Sequence, residues 1–268
     1  MSYYTNKVVV VTGGSDGIGK ALVELLLEGG ARVATCGRNY DKLYELQTGH
    51  AGKPLHIATA DVSKEVDCRN FINAVRNTFG TIDILINNAG VSMRALFKEL
   101  ELETLRHLME VNFWGAVYCT KFALPDIIKN KGSIVGVTSP AGFRGLPGRT
   151  GYSASKFALN GFLEALRTEL LHDGVNVMWV SPGFTASNIR NVALDKDGRP
   201  QKENPMDEDK MMTARECADY ILKAIEKRKR TLVLTLLGKT SVLLNKLFPG
   251  ITDKMVRKFY FRGGDLVK

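Results

Sequence analysis

Tyr152 and Lys156 stand four residues apart, a spacing that on a helix puts both side chains on one face, one turn apart. A phenol beside an ammonium is suited to proton transfer. The cation favours phenolate and pulls the tyrosine pKa down from about 10 towards working pH. Upstream, Ser139 follows the apolar run 133–138, which reads as a buried strand. A serine at a strand end, facing a helix-borne Tyr/Lys pair, can hold a substrate oxygen while the phenol exchanges its proton. The same four-residue spacing also arises by chance in ordinary helices, so its weight depends on the elements around it.

Those elements alternate. Residues 7–11 are a β-branched run too short for a helix and read as a buried parallel strand. They lead through the turn Thr12-Gly13-Gly14-Ser15-Asp16-Gly17-Ile18-Gly19 into a helical stretch at 20–28. Strands are expected at 31–36, 55–59, 83–86, 133–138, 175–180 and 231–236. Helices are expected at 41–47, 64–79, 102–128, from Tyr152 to about His172, and at 213–227. Pro125 is expected to bend or end the long helical region. Thr213 and Glu216 have the spacing of a capping box. Short apolar strands alternating with helices predict an α/β fold with a doubly wound parallel sheet of about seven strands. The Gly-rich turn, between a strand and a helix, lets backbone approach a pyrophosphate and point amides at it.

Taken together, Thr12-Gly13-x-x-x-Gly17-x-Gly19, Asp61-Val62, Asn87-Asn88-Ala89-Gly90, Asn112, Ser139, Tyr152-x-x-x-Lys156 and Pro182-Gly183 occur in the order and spacing of the short-chain dehydrogenase/reductase family, which the chain resembles from residue 7 to about 236. The resemblance implies a Rossmann fold and hydride transfer between a nicotinamide cofactor and a ketone or secondary alcohol. It implies Tyr152 as general acid/base, Lys156 on the nicotinamide ribose and lowering the Tyr152 pKa, Ser139 on the substrate oxygen, and Asn112 holding a water that relays protons to Lys156. It further implies cofactor contacts from Gly13, Ser15, Gly17, Ile18 and Gly19, adenine contacts from Asp61 and Val62, and groove contacts from Asn88 and Gly90. Pro182, Gly183 and Thr185 would meet the nicotinamide end. Asn87 reads as structural, tying strands together. A non-catalytic dinucleotide-binding regulator or scaffold is the competing class, and the intact Asn112, Ser139, Tyr152 and Lys156 argue against it.

At the end of the second strand, an acidic residue would grip the ribose 2′-hydroxyl and favour NAD(H). This chain has Arg38 and Asn39 there, and an arginine can pair with a 2′-phosphate, so NADP(H) is favoured over NAD(H). Asp16 departs from that pattern, because NADP-preferring relatives often carry a basic residue at its position. Residues 139–143 and 152–159 are similar to 3-ketodihydrosphinganine reductases and membrane-associated relatives acting on lipids. That similarity is local and implies a lipid-like substrate. A soluble 3-oxoacyl or small-ketone reductase is the alternative.

The net charge of +9 is concentrated between residues 227 and 268, which hold 11 basic and 2 acidic residues. Leu243, Leu244, Leu247 and Phe248, then Met255, Val256, Phe259 and Tyr260, have the spacing of one apolar face on each of two helices. Lys239, Lys246, Lys254, Arg257, Lys258 and Arg262 fill the other positions. The division expected is therefore a catalytic domain at 1–236 and a basic amphipathic extension at 237–268. The extension fits either peripheral contact with an anionic membrane or docking on the enzyme. The polar segment 184–212 reads as a substrate lid or a surface loop. Nucleic acid is not expected, because the aliphatic faces lack interleaved aromatic residues. The four cysteines show no metal-ligand spacing, no metal is expected, and reduced thiols fit the cytoplasm. Neither a signal peptide nor a membrane-spanning run is visible in the residues given. Location is expected to be cytoplasmic, at the inner membrane face if the extension docks there. The family resemblance implies a homodimer or homotetramer.

Overall fold

The protein is described by a computed structural model covering residues 2–201 and 211–267, apart from the side chains at 236–239, 241 and 242. Seven strands form one parallel sheet: β1 (Val8–Thr12), β2 (Arg32–Gly37), β3 (Leu55–Thr59), β4 (Ile84–Asn87), β5 (Ser133–Val137), β6 (Asn176–Ser181) and β7 (Thr231–Val233), in the order β3-β2-β1-β4-β5-β6-β7. The strand order reverses beside β1 and β4, and the crevice above that switch point is where an open α/β sheet receives its ligand. β1, β4, β5 and β6 are buried at every position, which is why they read as continuous apolar runs rather than alternating ones.

Helices cover both faces. α1 (Gly17–Glu28) and α7 (Ala214–Glu226) pack together on one side. α3 (Glu65–Phe79), α4 (Leu102–Met109), α5 (Gly115–Lys129) and α6 (Thr150–Glu169) cover the other, and α2 (Tyr40–Gly49) flanks β3. Cys36, Cys68 and Cys119 lie in the core on the α3–α5 side and Cys217 in the core on the α1–α7 side, all free and buried. The capping box of α7 forms, with Thr213 and Glu216 bonding each other's backbone amides.

Two local expectations fail. The helical segments expected across 102–128 are α4 and α5, joined by a π turn, Glu110–Trp114. Pro125 does not end α5, which continues to Lys129. Ala123 and Ile127 are fully buried on either side of the proline, so packing outweighs the one backbone bond it removes. β7 also stops at Val233, and residue 236 already opens a helix.

The extension folds as α8 (Leu236–Leu247) and α9 (Pro249–Tyr260), followed by a two-stranded hairpin, β8 (Phe261–Arg262) and β9 (Asp265–Leu266). Arg144 ties it to the loop after β5, donating to Asn245 Oδ1 at 2.8 Å and to Asp253 Oδ1 at 2.5 Å. The four apolar residues expected on one face of α9 divide. Val256 and Tyr260 turn inwards, whereas Met255 and Phe259 face out.

Candidate active site

The Gly-rich turn opens a cleft at the switch point. Gly13 has φ +69°, and a Cβ there would come within 2.9 Å of Ala89 Cα. A Cβ on Gly19 would lie 2.1 Å from the Gly13 carbonyl oxygen. Only bare backbone fits, which leaves the start of α1 open to an anionic ligand. Thr12 and Asn88 brace this turn. The Asn88 amide donates to the carbonyls of Thr12 and Gly13 at 3.0 and 3.1 Å, and Thr12 Oγ1 accepts from the Asn88 and Ala89 amides.

The cleft encloses about 320 Å³. Its walls bring together Gly13, Ser15, Gly17, Ile18, Gly19, Arg38, Asp61, Val62, Asn88, Gly90, Ser139, Tyr152, Lys156, Pro182, Gly183 and Thr185, all expected from the sequence. Of the expected site residues, Asn39 and Asn112 do not line the cleft. The Asn39 side chain caps α2, accepting from the Lys42 amide at 3.0 Å. A residue just after a strand is also just before the next helix, and here the cap takes the side chain. Asn87, expected to tie strands together, instead links β4 to a helix, its side-chain amide donating to Thr120 Oγ1 of α5 at 3.0 Å.

Asp16 is paired rather than exposed to the cleft alone. It caps α1 through the Gly17 amide at 2.8 Å and meets Lys42 Nζ at 2.6 Å. Burial alone would raise its pKa, but the Lys42 bond and charge outweigh that and hold the carboxyl below its usual range. Asp61 behaves alike: burial is overcome by two bonds from Ser63, with Arg38 and Lys64 adding to the effect.

Ser139 ends the β5 segment and opens a short 3-10 turn, Pro140–Gly142, accepting from the Ala141 amide at 3.1 Å. Its hydroxyl lies near enough to the Tyr152 phenol to lower that group's pKa. Lys156 is buried, sits 5.7 Å from the Tyr152 ring centroid and donates to the Val137 carbonyl at 3.0 Å. Burial pushes its ammonium down to about 8. The phenol does not follow the expected downward shift. Burial raises the Tyr152 pKa above its ordinary value, and the Ser139 hydroxyl with the nearby Arg149 and Arg190 cations offsets only part of this. In an apolar wall, losing water costs the phenolate more than these neighbours return.

Asn112 sits in the π turn, buried, with its amide nitrogen donating to the Val91 carbonyl and Ser155 Oγ, both at 2.9 Å, and its oxygen accepting from the Val91 amide at 2.8 Å. It locks the loop after β4 to α6. A Cβ on Gly90 would approach both Asn112 Oδ1, at 3.0 Å, and Lys156 Nζ, at 3.4 Å, so all three groups converge.

A second cavity of about 270 Å³ adjoins the first at Ser139 and Gly183. Its wall is mostly apolar, with Leu244, Thr252, Met255, Val256, Phe259 and Tyr260 from the extension and Arg144 from the loop after β5. Of the segment 184–212, Phe184 reaches this cavity, whereas 187–190 and Val192 line the dinucleotide cleft. Residues 202–210 of that segment lie outside the described residues. The sequence reading missed Arg144, Arg149, Arg190 and the inward row Thr252, Val256 and Tyr260. The four-residue recurrence of that row was the available signal, but neighbouring apolar residues on α9 masked it.

The model for the family described as short chain dehydrogenase matches residues 7–197. Dehydrogenase/reductase SDR family member 7B of Mus musculus is 32% identical over 258 residues, 93% of this chain and 80% of that protein. The 11-beta-hydroxysteroid dehydrogenase-like 4A of Arabidopsis thaliana is 36% identical over 223 residues, 82% of this chain and 73% of that protein. Among solved structures, a short chain dehydrogenase/reductase from Burkholderia phymatum in complex with NAD superposes with a TM-score of 0.82. It has 22% identity over 92% of this chain and 95% of that one, a likeness of fold. An alcohol dehydrogenase from Thermococcus sibiricus complexed with 5-hydroxy-NADP gives 0.73, with 25% identity over 85% and 95%.

Proposed function

Because this chain belongs to the short-chain dehydrogenase/reductase family of oxidoreductases, we propose that it interconverts an apolar ketone and its secondary alcohol, with NADP(H) preferred over NAD(H). The observation that carries the substrate class is the apolar cavity opening directly beside Ser139. A pocket walled by aliphatic and aromatic side chains gains from burying a hydrophobic substrate and offers little to a polar one.

The residues of the cleft fit a nicotinamide dinucleotide. The bare glycine turn at the α1 N-terminus would receive its pyrophosphate, Asp61 and Val62 its adenine, and Arg38 a 2′-phosphate. When bound, the cofactor supplies or accepts the hydride. The rest of the chemistry belongs to the protein. Ser139 and Tyr152, neighbours on the cleft wall, converge on the place of the substrate oxygen. Tyr152 keeps its proton at neutral pH and gives it to that oxygen during reduction. The phenolate left behind is held by Lys156, Arg149 and Arg190. Asn112 fixes the loop and helix that carry Lys156, and a water at Asn112 would return the proton. Lid action by 184–212 and a homodimer or homotetramer built across α5 and α6, where Trp114 at the end of the π turn before α5 and Phe157 of α6 are exposed, complete the proposal.

The test is oxidation of NADPH and NADH by the purified protein over ketones from short and water-soluble to long-chain. NADPH turnover that rises with chain length, and falls at least about a thousandfold in Tyr152→Phe while dinucleotide binding persists, is the expected result. Unchanged turnover in Tyr152→Phe, or tight NADPH binding without turnover of any ketone, would overturn it.

A further inference from the structure

Helix α9 carries two stripes that recur every four residues. Thr252, Val256 and Tyr260 face inwards onto the second cavity. One residue earlier, Ile251, Met255 and Phe259 face out, and with Leu243, Leu247 and Phe248 they form a set of six large apolar residues, each between 40% and 59% exposed. An apolar group of this kind on one helical hairpin is unfavourable in water and marks a contact surface.

Charge indicates what the contact is. The exposed residues of the hairpin and the turn after it include Lys246, Lys254, Arg257, Lys258 and Arg262, against Asp253 and Asp265. Asp253 is engaged by Arg144. At 100° per residue, Lys254 and Lys258 border the outer stripe on the side away from the cavity. A surface meeting this stripe therefore finds aliphatic and aromatic groups in the centre and ammonium groups along the edge. That arrangement matches an anionic bilayer, with apolar side chains below the headgroups and lysines reaching back to the phosphates. A second copy fits less well, because a two-fold contact would bring the two basic edges together.

The cavity adds a second, independent observation. Met255 and Phe259 belong both to the exposed stripe and to the cavity wall. The mouth of the cavity therefore opens onto the apolar patch itself. For a water-borne substrate such a rim has no use. For a ketone dissolved in a bilayer, it makes a path that never crosses water. We propose that the outer face of α8 and α9 docks on an anionic membrane surface, and that the substrate enters from that membrane past the rim that Met255 and Phe259 form. This rests on reading the second cavity as the substrate pocket.

The experiment uses the full chain with phosphatidylcholine vesicles, with and without phosphatidylglycerol, and two variants. Leu247→Asp/Ile251→Asp removes two outer residues that do not line the cavity, and Lys254→Glu/Lys258→Glu reverses the basic edge. Each is checked for an unchanged unfolding temperature. Co-sedimentation with the phosphatidylglycerol vesicles, released by salt and weakened about tenfold or more in both variants, is the expected result. In the same variants, turnover of a long-chain ketone carried in the vesicles should fall by a similar factor, while a short water-soluble ketone is turned over as before. Indifference to phosphatidylglycerol, equal sedimentation of wild type and variants, or a wild-type dimer that Leu247→Asp/Ile251→Asp separates would each overturn the proposal. Vesicle binding is read without any turnover, so an inactive but vesicle-binding protein would sink the catalytic reading alone.

Discussion

Lys156 shows how burial turns one side chain into a pH-dependent term in stability. The unfolded chain releases the lysine proton near 10.5, the folded one near 8. Between those values the unfolded chain holds a proton that the folded chain has lost, so this group makes stability rise with pH across that window. In cofactor-free protein, Lys156→Met is expected to be more stable than wild type at pH 7, with the difference shrinking by on the order of 3 kcal/mol between about pH 8 and 10.5. Denaturant titrations at several pH values measure it, and a constant difference would remove Lys156 from the account. Arg38 carries a different prediction. If it grips a 2′-phosphate, Arg38→Ala should lower the ratio of kcat/KM for NADPH over NADH by about 10- to 100-fold, the range of a lost charge-assisted hydrogen bond. An unchanged ratio would leave Arg38 as a solvated charge. At this scale the sequence was most readable for glycines and for groups tied to a turn. It was least readable for Tyr152, because the burial that raises its pKa comes from packing of segments distant in the chain and only Arg149 of the two opposing arginines lies close to it in sequence.

Elements were legible in proportion to how local their causes are. The strands could be found from β-branched runs, and the capping box of α7 from Thr213 and Glu216 alone. The π turn at Glu110–Trp114 left no such trace, since its side chains keep a helical rhythm while its backbone bonds skip one residue further. Its purpose is visible only in three dimensions, where it delivers Asn112 to Val91 and Ser155. Asn112→Ala would leave the Val91 amide and carbonyl and the Ser155 hydroxyl without that partner. A stability loss of about 2 to 4 kcal/mol is expected, with reduced turnover. Chemical denaturation followed by kinetics on the folded fraction separates the two effects. A fall in stability below about 1 kcal/mol would mean that water replaces the amide. The extension was readable as two helices but not as two stripes, because Met255 and Val256, or Phe259 and Tyr260, are equally apolar neighbours with opposite destinations.

At the scale of the molecule, a doubly wound parallel sheet could be anticipated from alternation of strands and helices, whereas the pairing of copies depends on surface residues with no pattern in sequence. Phe113, Trp114 and Tyr118 form an aromatic cluster that touches Phe162 of α6. If copies associate across α5 and α6, Trp114→Glu/Phe157→Glu should shift the protein to monomer in analytical ultracentrifugation, and an unchanged assembly would move the interface elsewhere. The distribution of thiols has a further consequence. Burial pushes Cys36 and Cys217 up to about 12, and the neighbouring Cys68 thiol together with burial raises Cys119. Thiolate is the form that a labelling reagent attacks, so the closed protein is doubly unreactive, by access and by protonation. Three of these thiols lie beneath one helical layer and one beneath the other. Each therefore acts as a clock started by the opening of its own layer: the order in which a mass spectrometer sees the tags appear records whether the two sides of the sheet come apart together or in sequence.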